Sequence, residues 1–96
     1  MRIQKSDIVL SLAGRDRGGR FVVVDTTEGF AWLADGKGRR IEKPKQKTLR
    51  HLRYVCSDGS QTGEKIRNGL AVTNNELKRT LKAVAAQPGG TIKEVC

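Results

Sequence analysis

Residues 7–24, DIVLSLAGRDRGGRFVVV, set two β-type apolar runs on either side of a short glycine-punctuated segment carrying Arg15, Arg17 and Arg20. Ile8–Ala13 is almost wholly apolar, and Phe21–Val24 is aromatic and β-branched. Both read as strands buried in part on both faces. Gly14 and Gly18–Gly19 let the backbone turn sharply between them, at φ values other residues avoid. The pattern therefore predicts a strand–loop–strand unit whose arginines project from a held tip rather than from a loose tail. A held guanidinium fork suits two oxygens of a phosphate.

The turn signals continue at the same short spacing. Thr26–Gly29 reads as a turn, Phe30–Ala34 as a third strand and Asp35–Gly36 as the turn after it. A short strand over Arg39–Glu42 is expected next. Lys43–Lys47 then contains Pro44, which marks a sheet edge or a crossover. Leu49–Cys56 reads as a fifth strand with weak alternation. Short strands at this density predict a mainly β fold, a small closed five-stranded barrel over residues 1–56. Ser57–Gly69 has only Ile66 as a large apolar residue and reads as a flexible loop.

A C-terminal α-helix follows, within residues 70–88. Thr73 and Glu76 have the spacing of a capping box, and Val72 and Leu77 that of a hydrophobic staple. Leu77, Leu81, Val84 and Ala85 fall on one face, with Lys78, Arg79 and Lys82 around the rest. Pro88–Gly89–Gly90 stops the helix, and the remainder to residue 96 is a tail. A closed barrel needs one apolar face inside, and strands apolar on both faces have one to spare. The helix stripe is the available cover, expected over Leu10 or Leu12.

A chain of 96 residues, 36% hydrophobic and 4% aromatic, supports one modest core and no large enzyme cleft. Nineteen Lys and Arg against ten Asp and Glu give a net charge of +9, which points to a polyanionic partner. No apolar run is long enough to span a membrane, and MRIQKSDIVLSLAG runs straight into the strand pattern, so it reads as structure and not as a signal peptide. Cys56 and Cys96 form no CxxC, and His51 is the one histidine. A zinc site is not expected; the spacing of the two cysteines leaves a disulfide open, and two free thiols in a reducing cytoplasm are the expected state. No P-loop pattern and no spaced nucleophile–base pair occur, so neither a cofactor nor catalysis is expected.

The segment VLSLAGRDRGGRFVVVD resembles the KOW motif, a strand–loop–strand with a basic glycine-rich turn. Ala34–Asp35–Gly36, Arg40 and Lys43–Pro44–Lys45 extend the resemblance to bacterial KOW-domain RNA-binding proteins, which are similar to the L14e/L27e group of ribosomal proteins. Many KOW motifs have glycine where this chain has Phe21, a departure that favours the L14e-like branch. The resemblance covers residues 7–52 well and the TNNELKR helix more loosely. It implies an SH3-like barrel, RNA binding and a link to the ribosome.

The candidate RNA contacts are Arg15, Arg17 and Arg20 of the first loop, then Lys37, Arg39, Arg40, Lys43, Lys45, Lys47, Arg50 and Arg53. The second group is eight basic residues with Glu42 as the one acid among them, more than protection of a sheet edge requires. Lys43, Lys45 and Lys47 alternate and share one side of an extended segment. Trp32 and Tyr54 either stack on unpaired bases or pack into the domain, packing being the commoner fate. The expected function is a cytoplasmic, monomeric RNA-binding module on ribosomal RNA, in contact with ribosomal proteins and not with membrane. The alternative is a protein–protein adaptor in transcription or translation.

Overall fold

The computed structural model describes residues 3–86. The predicted tail, the Pro88–Gly90 stop and Cys96 lie outside them, as does the side chain of Ala85. Five strands form one antiparallel sheet: β1 (Asp7–Ser11), β2 (Arg20–Thr27), β3 (Phe30–Ala34), β4 (Lys45–Thr48) and β5 (Leu52–Ser57). Two helices follow, α1 (Gln61–Arg67) and α2 (Asn74–Ala86).

The spatial order is β4-β3-β2-β1-β5, so consecutive strands β4 and β5 form opposite edges of an open sheet. One turn of 3-10 helix, Leu49–His51, joins them. In a flat sheet those edges would stand about 19 Å apart, four strand spacings. The link from Thr48 to Leu52 reaches at most about 14 Å. The sheet is therefore curled, and Leu49 from the link packs into its inner face.

Side-chain alternation sorts the apolar residues into two clusters. Val9, Phe21, Val23, Ala31, Leu33 and Leu52 form the inner one. Ile8, Val22, Ala34 and Cys56 face outward and are covered by Ile66 of α1 and Leu77 and Val84 of α2. The expectation that a helix covers a spare apolar face is met, but its seat is Ile8, Val22 and Ala34. Leu10 is half-buried, and Leu12, one residue past the end of β1, is 45% exposed.

The strand pattern differs from expectation in two places. Arg39–Glu42 is not a strand. Asp35 accepts hydrogen bonds from the Lys37 and Arg39 amides (2.8 Å each), and the Lys43 amide donates to the Arg40 carbonyl (3.0 Å), so successive turns stand there instead. The fourth strand is Lys45–Thr48, paired to β3 through Leu33↔Lys45 and Phe30↔Thr48. The fifth starts at Leu52, after the 3-10 turn, rather than at Leu49.

Residues 57–69, read as a flexible loop, contain α1. Ile66 is buried in the outer core, and Gly63 lies so close to the Asp58 carbonyl that a Cβ would collide with it. The Asp58 amide donates to the Ser6 carbonyl (3.1 Å). Arg67 Nη1 donates to Ser6 Oγ and to the Asp58 carbonyl (2.8 Å each). Small residues and backbone hydrogen bonds fix this segment where large apolar residues are lacking. Cys56 does not fit the expectation of free thiols: it is disulfide-bonded, within the outer core.

The capping box of α2 forms as the sequence predicts. The Glu76 amide donates to Thr73 Oγ1 (3.2 Å), and the Thr73 amide donates to Glu76 Oε1 (2.9 Å). Lys65 of α1 donates to Glu76 Oε2 (2.8 Å), so one carboxylate caps α2 and ties the helices together. Lys65 foremost, then the Thr73 hydrogen bonds, hold the Glu76 carboxyl below its ordinary value of 4.5.

Two predictions follow from this packing and its cap. Leu77→Ala should cost about 2–5 kcal/mol in urea denaturation, against about 0.5 kcal/mol or less for exposed Lys78→Ala. A carboxyl depressed by folding stabilises fully above its unfolded pKa, and that contribution is lost as pH falls through the folded pKa. Denaturation midpoints should therefore drop more steeply with acidification in the parent than in Glu76→Gln.

Candidate nucleic-acid interface

The first loop is built by backbone hydrogen bonds at both ends. The Ser11 amide donates to the Gly19 carbonyl (2.9 Å) and the Gly18 amide to the Ser11 carbonyl (2.8 Å). Gly14 and Gly18 have φ of +76° and +87°, the left-handed conformation that glycine adopts without cost. Arg15 and Arg17 project into solvent from this closed loop.

Two long-range contacts fix the loop to the later basic segment. Arg39 Nε and Nη2 donate to Asp16 Oδ1 and Oδ2 at 3.2 and 3.0 Å. This fork is partly shielded, with Arg39 32% and Asp16 15% exposed, so solvent screens it less than an open surface pair. Lys47 Nζ donates to the Ala13 carbonyl (2.6 Å) and lies beside Gly14. Lys47 pairs in register with Ala31 and Lys45 with Leu33, which places both lysines on the inner face of the edge strand. Lys47 thus reaches across the curl from β4 to the first loop.

The turn at Asp35–Arg40 is held from its other side by α2. Gly36 has φ +79° and lies against the backbone of Asn74, where any Cβ would collide with the Asn74 carbonyl. Asn74 Oδ1 accepts the Ile41 amide (2.7 Å), while Nδ2 donates to both oxygens of Glu42 (2.6 and 2.9 Å). Glu42 also lies 3.6 Å from Arg40 Nε. Its own backbone amide first, then Asn74 and the Arg40 charge, hold the Glu42 carboxyl below its ordinary value.

The candidate residues thus fall into distinct groups. Arg15 and Arg17 are open at the loop tip, and Lys37, Arg40, Lys43 and Lys45 are exposed along the second segment. Arg39 and Lys47 are committed to internal partners and act mainly as ties. Lys43 precedes β4, so only Lys45 and Lys47 share a strand face. Arg20 and Arg53 are both cross-strand partners of Leu10, so they flank it about 10 Å apart, two strand spacings. Arg50 is exposed on the 3-10 turn. Trp32 is half-buried and Phe30 is 39% exposed, both on the outer face of β3.

Sequence reasoning missed Asp16, Asp35, Glu42 and Asn74 as the groups that shape this surface. The Asp-Gly turn signal at Asp35 was the one available clue. Among the described residues no cluster of His, Cys, Asp and Glu is placed to hold a metal ion. No described helix is long and apolar enough to cross a membrane. No protein-family model matches the chain, and no curated protein matches its sequence significantly.

Gly36→Ala should cost about 2–4 kcal/mol, since it adds left-handed strain and displaces the start of α2. Gly38→Ala, with open space around its Cβ position, should change urea stability by about 0.5 kcal/mol or less.

Proposed function

We propose that this protein is a KOW-type, ribosome-associated RNA-binding module with no catalytic activity, working in the cytoplasm as a monomer. In this reading the curled sheet is an SH3-like barrel. The sheet order, the short β4–β5 link and the filled inner face support that description. The observation that carries the function is the pinned loop: Arg15 and Arg17 extend from a tip whose base is fixed by Asp16–Arg39 and Lys47–Ala13. A charge presented on a fixed frame loses little conformational freedom when it meets a phosphate.

The net charge of +9 supplies long-range attraction to RNA, and the exposed arginines and lysines supply the contacts. Backbone phosphates carry no base identity, so the module recognises the shape and phosphate spacing of folded RNA, ribosomal RNA in particular. Contacts to ribosomal proteins would add to this on the assembled particle.

Binding to a structured ribosomal RNA fragment tests the reading. With about 4–6 phosphates neutralised, log K should fall against log salt with a slope of about −3 to −5. Replacing Arg15, Arg17 and Arg20 together by Ala should flatten that slope by about 2 to 3 and weaken binding to different RNAs alike. The fold should survive, because exposed charges add little stability. Unchanged RNA binding by the triple variant at every salt concentration would remove the loop from the interface. Salt-insensitive capture of a polymerase or ribosomal protein would favour the adaptor reading.

A further inference from the structure

Arg39, Arg40, Lys43 and Lys45 converge, with Gly38 and Pro44, on a concave pocket of about 410 Å³. Its frame is set before any ligand arrives. Asp35 fixes the Lys37 and Arg39 amides, Asn74 fixes the Ile41 amide, and the Lys43 amide donates to the Arg40 carbonyl (3.0 Å). Pro44 locks φ at the turn into β4. Among the described residues neither Lys43 nor Lys45 has a carboxylate partner. Arg39 faces Asp16 with Nε and Nη2, which leaves Nη1 outside that fork.

One anion is already present beside this pocket. The Glu42 carboxylate is held by both Asn74 hydrogen bonds and lies 3.6 Å from Arg40 Nε. It stays ionised at neutral pH. An arriving anion must share Arg40 with a negative charge that cannot swing far away.

We propose that this pocket seats a single phosphate group of bound RNA and that Glu42 is a built-in competitor for Arg40, tempering the affinity of that seat. The inference rests on the RNA-binding reading and narrows it from a diffuse basic surface to one defined subsite. Lys43, Lys45 and Arg40 supply the charge. Asn74 holds the competitor in place.

The test uses the full chain, a structured ribosomal RNA fragment and pyrophosphate as the two probes, and Glu42→Gln, which keeps an oxygen for Asn74. Glu42→Gln should tighten RNA binding about two- to fivefold at low salt, the scale of one exposed charge–charge interaction. Glu28→Gln removes an exposed carboxylate from the β2–β3 turn and should leave the affinity unchanged. The double change Lys43→Ala and Lys45→Ala should weaken binding about five- to twentyfold.

Equal tightening by Glu28→Gln and Glu42→Gln would reduce the effect to net charge and overturn the competitor. Parent-like affinity of the double lysine variant, with the Arg15, Arg17 and Arg20 variant weakened, would overturn the pocket and leave RNA binding standing. If the parent binds no RNA, the RNA reading fails, and the pyrophosphate titration decides the anion seat alone. Amide shifts concentrated in residues 38–45, and larger in Glu42→Gln, support it. Shifts spread evenly over the basic surface overturn it.

Discussion

Ile8 and Val9 are adjacent in the chain and both are wholly buried, one on each face of the sheet. A two-sided apolar sheet in so short a chain needs cover on both sides, and the two sides are covered differently. The inner face lies on the concave side of the curled sheet, where Leu49 of the short β4–β5 link packs against it. The outer face is covered by α1 and α2, with Ile66, Leu77 and Val84. The helices are thus part of the hydrophobic core, and their connections bring Asn74 against the basic turn.

The basic surface is shaped by acids. Asp35 winds the turn, Asp16 anchors Arg39, and Glu42 connects Asn74 to the vicinity of Arg40. Like charges crowded on a small domain repel, and intervening carboxylates reduce that cost while fixing where the remaining cations point. The outcome is a division of labour within one charge type. Arg39 and Lys47 hold the frame, while Arg15, Arg17, Arg40, Lys43 and Lys45 remain open to solvent.

Local signals were legible where the chain's own neighbours decide the structure. The strand at Phe30–Ala34, the glycine loop between β1 and β2, and the Thr73–Glu76 cap all follow from residues within a few positions of one another. Elements fixed from afar were not. β4 has no large apolar residue and exists through its ladder to β3. In α1, Gly63 and Thr62 pack by being small, and Arg67 reaches back to Ser6. Among the site residues, the positions of the cations were visible in the sequence. Which of them are already bonded was not, because the partners lie 23 positions away for Arg39 and 34 for Lys47.

Asn74 has a consequence beyond shaping the turn. It is the first residue of α2, and its side chain and backbone touch Ile41, Glu42 and Gly36 at once. Seating of the helix on the sheet and the arrangement of the basic turn are therefore one equilibrium rather than two. A ligand that favours the ordered turn stabilises helix docking by the same free energy by which docking strengthens its binding. Amide protection in the helix thus becomes a remote gauge of occupancy at a surface the helix itself need not touch.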